Sequence, residues 1–157
     1  MEQMFNMKPE IDVKDLKILK LLRERGDLTV RQISSKTGMP ITTVHNRIRR
    51  LRDSGIIRRY TIEVDNSKIG KTLSAYVLVK ADSAYLKANR KNQHDLLKIL
   101  GKLDFVERAD IVTGEIDMVL LIRARDVGEL DRIIIEKLRQ VEGIASTQTL
   151  VILNENS

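Results

Sequence analysis

The sequence predicts an α+β chain in two parts: three short helices over residues 1–64 and, after a hinge at 65–72, a βαββαβ unit over 73–157. Three observations predict it. In the first part apolar residues recur at three- and four-residue spacing, as at Val44, Ile48 and Leu51, the pattern of helices with one buried face. In the second part the period drops to two at Leu73, Ala75, Val77, Val79 and Ala81, and strand and helix periods then alternate. The charge changes at the same place. Residues 1–70 carry 15 Lys/Arg against 9 Asp/Glu, and residues 71–157 carry 13 of each, so the formal excess of +6 lies in the first half.

Residues 1–10 read as a lead or short arm. Asp12 is a good N-cap with Asp15 three residues on, an acidic variant of the capping box, and Leu16, Ile18, Leu19 and Leu22 follow at helical spacing. A helix over 13–25 ends at Gly26. Thr29 caps a second helix, 30–37, with Val30 and Ile33 inward, and Gly38 breaks it. The third helix, over 40–52, buries Val44, Ile48 and Leu51, with Ile41 in the same sector. Its opposite face carries Thr42, Asn46 and Arg49, flanked by Thr43, His45 and Arg50.

Helices two and three, joined by a tight glycine turn, make a helix-turn-helix arrangement, of winged-helix-like type. Two residues depart from its usual pattern: Ser34 stands where a small alanine is common, and Pro40 where a serine N-cap is common. Proline suits a first helical turn, so the helix survives without the cap hydroxyl. Amide groups and guanidinium forks on the outer face of the third helix are the groups that read base edges and phosphates. Together with the charge split they point to double-stranded DNA as the partner. The candidate DNA-binding residues are Thr42, Thr43, His45, Asn46, Arg47, Arg49 and Arg50, joined by Arg58 and Arg59 on an expected short strand at 58–64. Arg50, toward the flank, is expected to meet phosphate.

In the second part the expected elements are a strand at 73–81, a polar loop or extra turn at 82–91, and a helix at 93–103. Strands at 105–112 and 116–124 flank a turn at 113–115, and the second of them, nearly all apolar, is expected to be central. A helix capped by Asp126 then runs to about residue 140, and a last strand spans 144–153. This order is the ferredoxin-like arrangement, an antiparallel sheet with two helices on one face. Its open face needs a cover, and a second copy of the chain supplies one, so a homodimer is expected.

Composition excludes several classes. With 42% apolar and 32% charged residues the chain is globular rather than disordered. The longest apolar run, 118–122, is far too short to span a bilayer, and no membrane partner is expected. The N-terminus shows no basic start followed by an apolar block, and there is no cysteine; both fit the cytoplasm and a reducing compartment. His45 and His94 have no metal-ligand spacing, no glycine-rich phosphate loop follows a strand, and no catalytic constellation stands out. No metal, no cofactor and no enzyme activity are therefore expected.

The stretches IDVKDLKIL (11–19), TVRQISSKTGMPITTVHNRIRRL (29–51), GIIRRYTIEVD (55–65), VTGEIDMVLLI (112–122) and EGIASTQTLVIL (142–153) resemble, in order and spacing, the leucine-responsive regulatory protein (Lrp/AsnC) family of transcription regulators. The loop at 82–91 is longer than in many members. The resemblance implies a dimer formed through the second domain, assembly to a tetramer or octamer, and a palindromic operator read by paired helix-turn-helix units. It further implies a small amino-acid effector held between dimers by the 113–117 turn and the last strand. Carried over, the effector-binding candidates are Thr113, Gly114, Glu115 and Asp117, with Thr147, Gln148 and Thr149 on the last strand. Gly114 would allow close backbone approach, and Asp117 would pair with the ligand's ammonium. Two alternatives share the architecture: an enzyme similar to sirohaem decarboxylases, which needs imidazole and cations around a tetrapyrrole, and an architectural DNA-binding protein without effector.

Overall fold

A computed structural model describes residues 10–154, and the chain divides between Val64 and Asp65 into two compact units. The expected lead lies almost wholly outside the described residues.

The first unit is three helices, α1 (Val13–Glu24), α2 (Val30–Thr37) and α3 (Ile41–Asp53). Two begin with reciprocal capping boxes. Asp12 and Asp15 satisfy each other's backbone N–H at α1, and Thr29 and Gln32 do so at α2. Gly38 ends α2 with φ of +68°, a left-handed conformation that a residue with a Cβ adopts only at a cost. The α3 helix starts after Pro40 with no side-chain cap. Ile18, Leu28, Ile33, Met39, Val44 and Leu51 close a small core among the three helices.

Residues 58–64, expected as a strand, are extended but belong to no sheet among the described residues. Tyr60, Ile62 and Val64 lie exposed. The alternation was real, but it found no neighbouring strand among the described residues, and a strand is defined by its ladder.

The second unit opens with a 3₁₀ turn at Asn66–Ile69 and contains β1 (Leu73–Ala81), α4 (Ser83–Ala88), α5 (Gln93–Leu100), β2 (Val106–Ile111), β3 (Met118–Ala124), α6 (Val127–Arg132) and β4 (Ile144–Val151). The sheet runs β2-β3-β1-β4 with every pair antiparallel, and β3 is interior as expected. Val77 sits opposite Leu120 on one side and Thr149 on the other. Alternation then fixes the faces. Ala75, Val77, Val79, Met118, Leu120 and Ile122 are buried beneath Leu86, Leu96, Leu100, Leu130, Ile134 and Leu138 of the helical layer. Tyr76, Leu78, Val119 and Leu121 fall on the other face, which no helix of the unit covers.

The polar stretch at 82–91, expected as a loop or extra turn, holds a short helix, α4, at Ser83–Ala88. Asp82 caps it by accepting from the N–H of Tyr85. Leu86 is buried, and the Tyr85 hydroxyl donates to the Glu142 carboxylate. The helix expected to run from Asp126 to about residue 140 changes pitch: α6 passes into a π turn at Ile133–Lys137 and a 3₁₀ turn at Leu138–Gln140. The N–H of Leu138 bonds both the Ile133 and Ile134 carbonyls. The bond to Ile133 closes a turn five residues apart, and Ile133, Ile134 and Leu138 are all buried.

Candidate functional site

The α3 helix divides its residues among three sectors. Val44 and Leu51 are buried in the core. Thr42, His45, Asn46 and Arg49 are exposed on the other side. Between these faces, Thr43, Arg47 and Arg50 form one flank at four- and three-residue spacing. The exposed side keeps its hydrogen-bonding groups open to solvent, the condition a reader of base edges needs.

The flank is different. Arg47 Nη1 donates to both Asp12 oxygens at 2.8 Å and to Asp15 Oδ1 at 2.9 Å. Arg50 Nη2 donates to Asp15 Oδ2. Asp15 has no exposed surface, and its Oδ2 also accepts from the Asp12 N–H at 3.1 Å. The Asp12 carboxyl is held down at about 2, first by the Asp15 backbone N–H that it accepts and further by the Arg47 guanidinium. Hydrogen bonds to Asp15 and Asp12 in turn raise Arg47. Arg47 was a candidate DNA contact; the structure places it in this ion cluster between α1 and α3. Sequence reading took Asp12 and Asp15 only as a cap. The available signal was Arg47's own position, one residue past Asn46 and so about 100° round the helix, toward the buried stripe.

Arg58 and Arg59 are exposed on the extended segment after α3. They border an open groove with Leu16, Leu19, Lys20 and Arg23 of α1, and no α3 residue lines it.

In the second unit the 113–117 turn joins β2 to β3. Thr113, Gly114 and Glu115 are exposed, Gly114 has φ of +125°, and open space surrounds the position a Cβ would take. Asp117 is partly buried and already engaged. Its Oδ2 accepts from the Ala81 N–H at 2.8 Å and its Oδ1 from Gln93 Nε2 at 2.6 Å. Its backbone N–H also bonds the Val79 carbonyl at 3.1 Å. One carboxylate thus ties the turn to the end of β1 and the start of α5. Gln93 was not singled out from the sequence; it lies 24 residues from Asp117, and only the fold brings the two together.

The three β4 candidates part company. Thr147 and Thr149 pair with Val79 and Val77 and so face the helical layer, whereas Gln148 pairs with Leu78 on the open face. Thr147 Oγ1 is buried with no hydrogen-bond partner among the described residues. Strand alternation alone separates these three, and one protomer cannot turn all of them toward one ligand. His45 and His94 lie in different units, and no group of three His, Cys, Asp or Glu able to hold a metal occurs among the described residues. Among those residues, too, no helix is long and apolar enough to cross a membrane.

A model for winged helix-turn-helix DNA-binding domains matches residues 11–58, and a model for the Lrp/AsnC ligand binding domain matches residues 74–156. An uncharacterised HTH-type transcriptional regulator of Pyrococcus furiosus is 34% identical over 141 residues, covering 90% of this chain and 91% of its own. The HTH-type transcriptional regulator FL11 of Pyrococcus horikoshii is 32% identical over 147 residues, covering 94% and 92%. A transcriptional regulator of Neisseria meningitidis, solved as a complex with L-Met, superposes with a TM-score of 0.85 at 26% identity, covering 94% of this chain and 93% of its own. LrpC of B. subtilis superposes with a TM-score of 0.80 at 26% identity, covering 94% and 98%. With both parts matched in order, the chain belongs to the Lrp/AsnC family and is a DNA-binding transcriptional regulator of that type.

Proposed function

We propose that the chain is a sequence-specific regulator whose α3 enters the major groove as part of a symmetric oligomer. The observation that carries this reading is the outer face of α3, where Thr42, Asn46 and Arg49 stand exposed opposite the buried Val44 and Leu51. In this reading Asn46 pairs with an adenine edge and Arg49 with a guanine edge or phosphate. Thr43 and Arg50 on the flank of α3, His45 on its exposed side, and Arg58 and Arg59 after it supply backbone contacts that fix register. Arg47 contributes through the ion cluster.

DNA selection with the purified protein tests this. A dimer presents two α3 helices, so the recovered site is palindromic, with half-site centres about 34–36 Å apart or at a multiple of that. Asn46→Ala costs about 1–3 kcal/mol at one base position and relaxes preference there. Recovery of unpreferred, non-palindromic fragments overturns the reading in favour of an architectural binder. A regulator that works on DNA in a bacterial or archaeal cell acts in the cytoplasm.

The second unit dimerises through the open face of its sheet and responds to a free amino acid at the 113–117 turn. Three observations support the effector: the match to the Lrp/AsnC ligand binding domain, the L-Met bound to the Neisseria neighbour, and the open space at Gly114. Each Asp117 oxygen can accept one bond beyond those it makes, so an ammonium would join the carboxylate without displacing Ala81 or Gln93. Calorimetry against the free amino acids is the test. No binding at millimolar concentration removes the effector and leaves the DNA reading in place.

A further inference from the structure

Three arginines of α3 have different surroundings. Arg49 is 75% exposed and, among the described residues, meets only the equally open Asp53, at 3.7 Å. Arg50 is half exposed and bonds Asp15. Arg47 is 20% exposed and makes three bonds to Asp12 and Asp15. They thus run from nearly free to mostly enclosed. At the centre lies Asp15, with 0% of its surface exposed and both oxygens taken.

A carboxylate with no contact to water keeps its charge only if cations and donors surround it. Asp15 therefore holds both guanidiniums strongly. The Arg47 bonds point to α1, about 100° round the helix from Asn46, and with 20% of its side chain exposed little of the fork is open to a phosphate. Arg50 lies farther out, and its exposed half leaves other N–H groups of the fork available.

We infer that Asp15 sets how many positive charges α3 offers to DNA, holding Arg47 as a positioning residue for the recognition helix and sharing Arg50 with the phosphate backbone. This rests on the reading that the outer face of α3 meets DNA. Each phosphate a protein neutralises steepens the salt dependence of binding by about 0.9 in log K against log salt. Asp15 thus trades DNA affinity for stability of the domain, and the two move in opposite directions when its charge is removed.

The test uses the full chain and a random-sequence duplex over a range of salt. Asp15→Asn lowers the thermal midpoint, yet binds the duplex several-fold more tightly at low salt, with a slope steeper by up to about one per protomer. A purely structural Asp15 would lower midpoint and affinity together, and that result overturns the inference. Three further variants decide it if Asp15→Asn does not fold. Arg49→Gln flattens the slope by about one per protomer, Arg50→Gln by less, and Arg47→Gln by less than half the Arg49 loss. Equal losses at Arg47 and Arg49 overturn the inference while leaving α3 as the reader. Silence at both Arg49→Gln and Asn46→Ala removes α3 as the reader, and the inference falls with it.

Discussion

Across the turn from α2 to α3, the Ser34 hydroxyl donates to the Met39 carbonyl at 2.6 Å. Both departures from the usual helix-turn-helix pattern meet here. Pro40 brings no side chain to cap α3, and Ser34 supplies a hydroxyl that stitches down the residue just before it. Ser34→Ala leaves a partly buried carbonyl without this donor. It is expected to cost about 1 kcal/mol in urea unfolding. No loss, or a gain, would show that the bond does not stabilise the turn.

The Asp12 carboxyl gives the first unit a defined acid sensitivity. Its value in the folded chain, about 2, lies below the ordinary 3.8. A lowered carboxylate contributes stability at every pH above its ordinary value and loses it as pH falls toward the folded one. The loss is therefore expected between about pH 4 and about pH 2. Asp12→Asn keeps an N-cap acceptor but removes the titration. The variant is less stable than the wild type at neutral pH, and the gap narrows across that window. A gap that stays constant down to about pH 2 would contradict it.

Elements with a strong period and a local cap were legible in the sequence. The strand at Leu73–Ala81, the interior β3, and the α1 and α2 caps at Asp12 and Thr29 match because alternation and capping are local. What escaped depends on partners far along the chain. Arg47 lies 35 residues from Asp12, so its position on the helix pointed toward the buried stripe but nothing local named its partners. The α4 helix forms where its polar composition read as a loop or extra turn, because Leu86 finds the core and Tyr85 finds Glu142. The π turn at Ile133–Lys137 left no mark in the pattern, because Leu130, Ile133, Ile134 and Leu138 keep the spacing of one face of a regular helix. At the site, the face of β4 on which each threonine falls was derivable from alternation, but the engagement of Asp117 by Gln93 was not.

The open face of the sheet makes oligomerisation sensitive to a single charge. Leu121 lies opposite Tyr76 on it, and Leu78 opposite Val119 two residues along, in the middle of the β1–β3 pair. Leu121→Lys places an ammonium where a second sheet would pack, forfeiting roughly 1.5–3 kcal/mol of burial before any charge penalty. The full chain is expected to shift toward monomer in sedimentation. DNA affinity falls with it, because two linked sites gain effective concentration. An unchanged assembly would move the interface elsewhere.

Gly143 anchors α4 through its lack of a side chain. Its φ is +94°, and a Cβ there would stand 3.0 Å from Leu86 Cδ2. Its carbonyl also accepts from the Asp82 N–H at 2.8 Å. Gly143→Ala combines backbone strain with contact against a buried leucine and is expected to cost about 1–3 kcal/mol. Gly114→Ala shares the strain but meets nothing within 4 Å. The difference between the two, read by thermal unfolding, isolates the packing of α4; equal losses would mean that Leu86 moves aside freely.

The Asp117 carboxylate has to be tested for two roles at once. Removing it leaves the Ala81 N–H and the Gln93 amide without their acceptor, so Asp117→Ala destabilises the second unit with or without an amino acid. The loss is expected at about 2 kcal/mol, and at about 1 kcal/mol for Gln93→Ala, which breaks only one of the two bonds. Loss of ligand response in Asp117→Ala alone therefore does not identify an ammonium partner. Gln93→Ala supplies the comparison: it loosens the junction of turn, β1 and α5 and leaves the carboxylate in place. An ammonium bound to Asp117 survives that change, with amino-acid affinity in calorimetry within a few-fold of wild type. If Gln93→Ala weakens the amino acid as much as Asp117→Ala does, the carboxylate acts by holding the turn, and the ammonium is bound elsewhere.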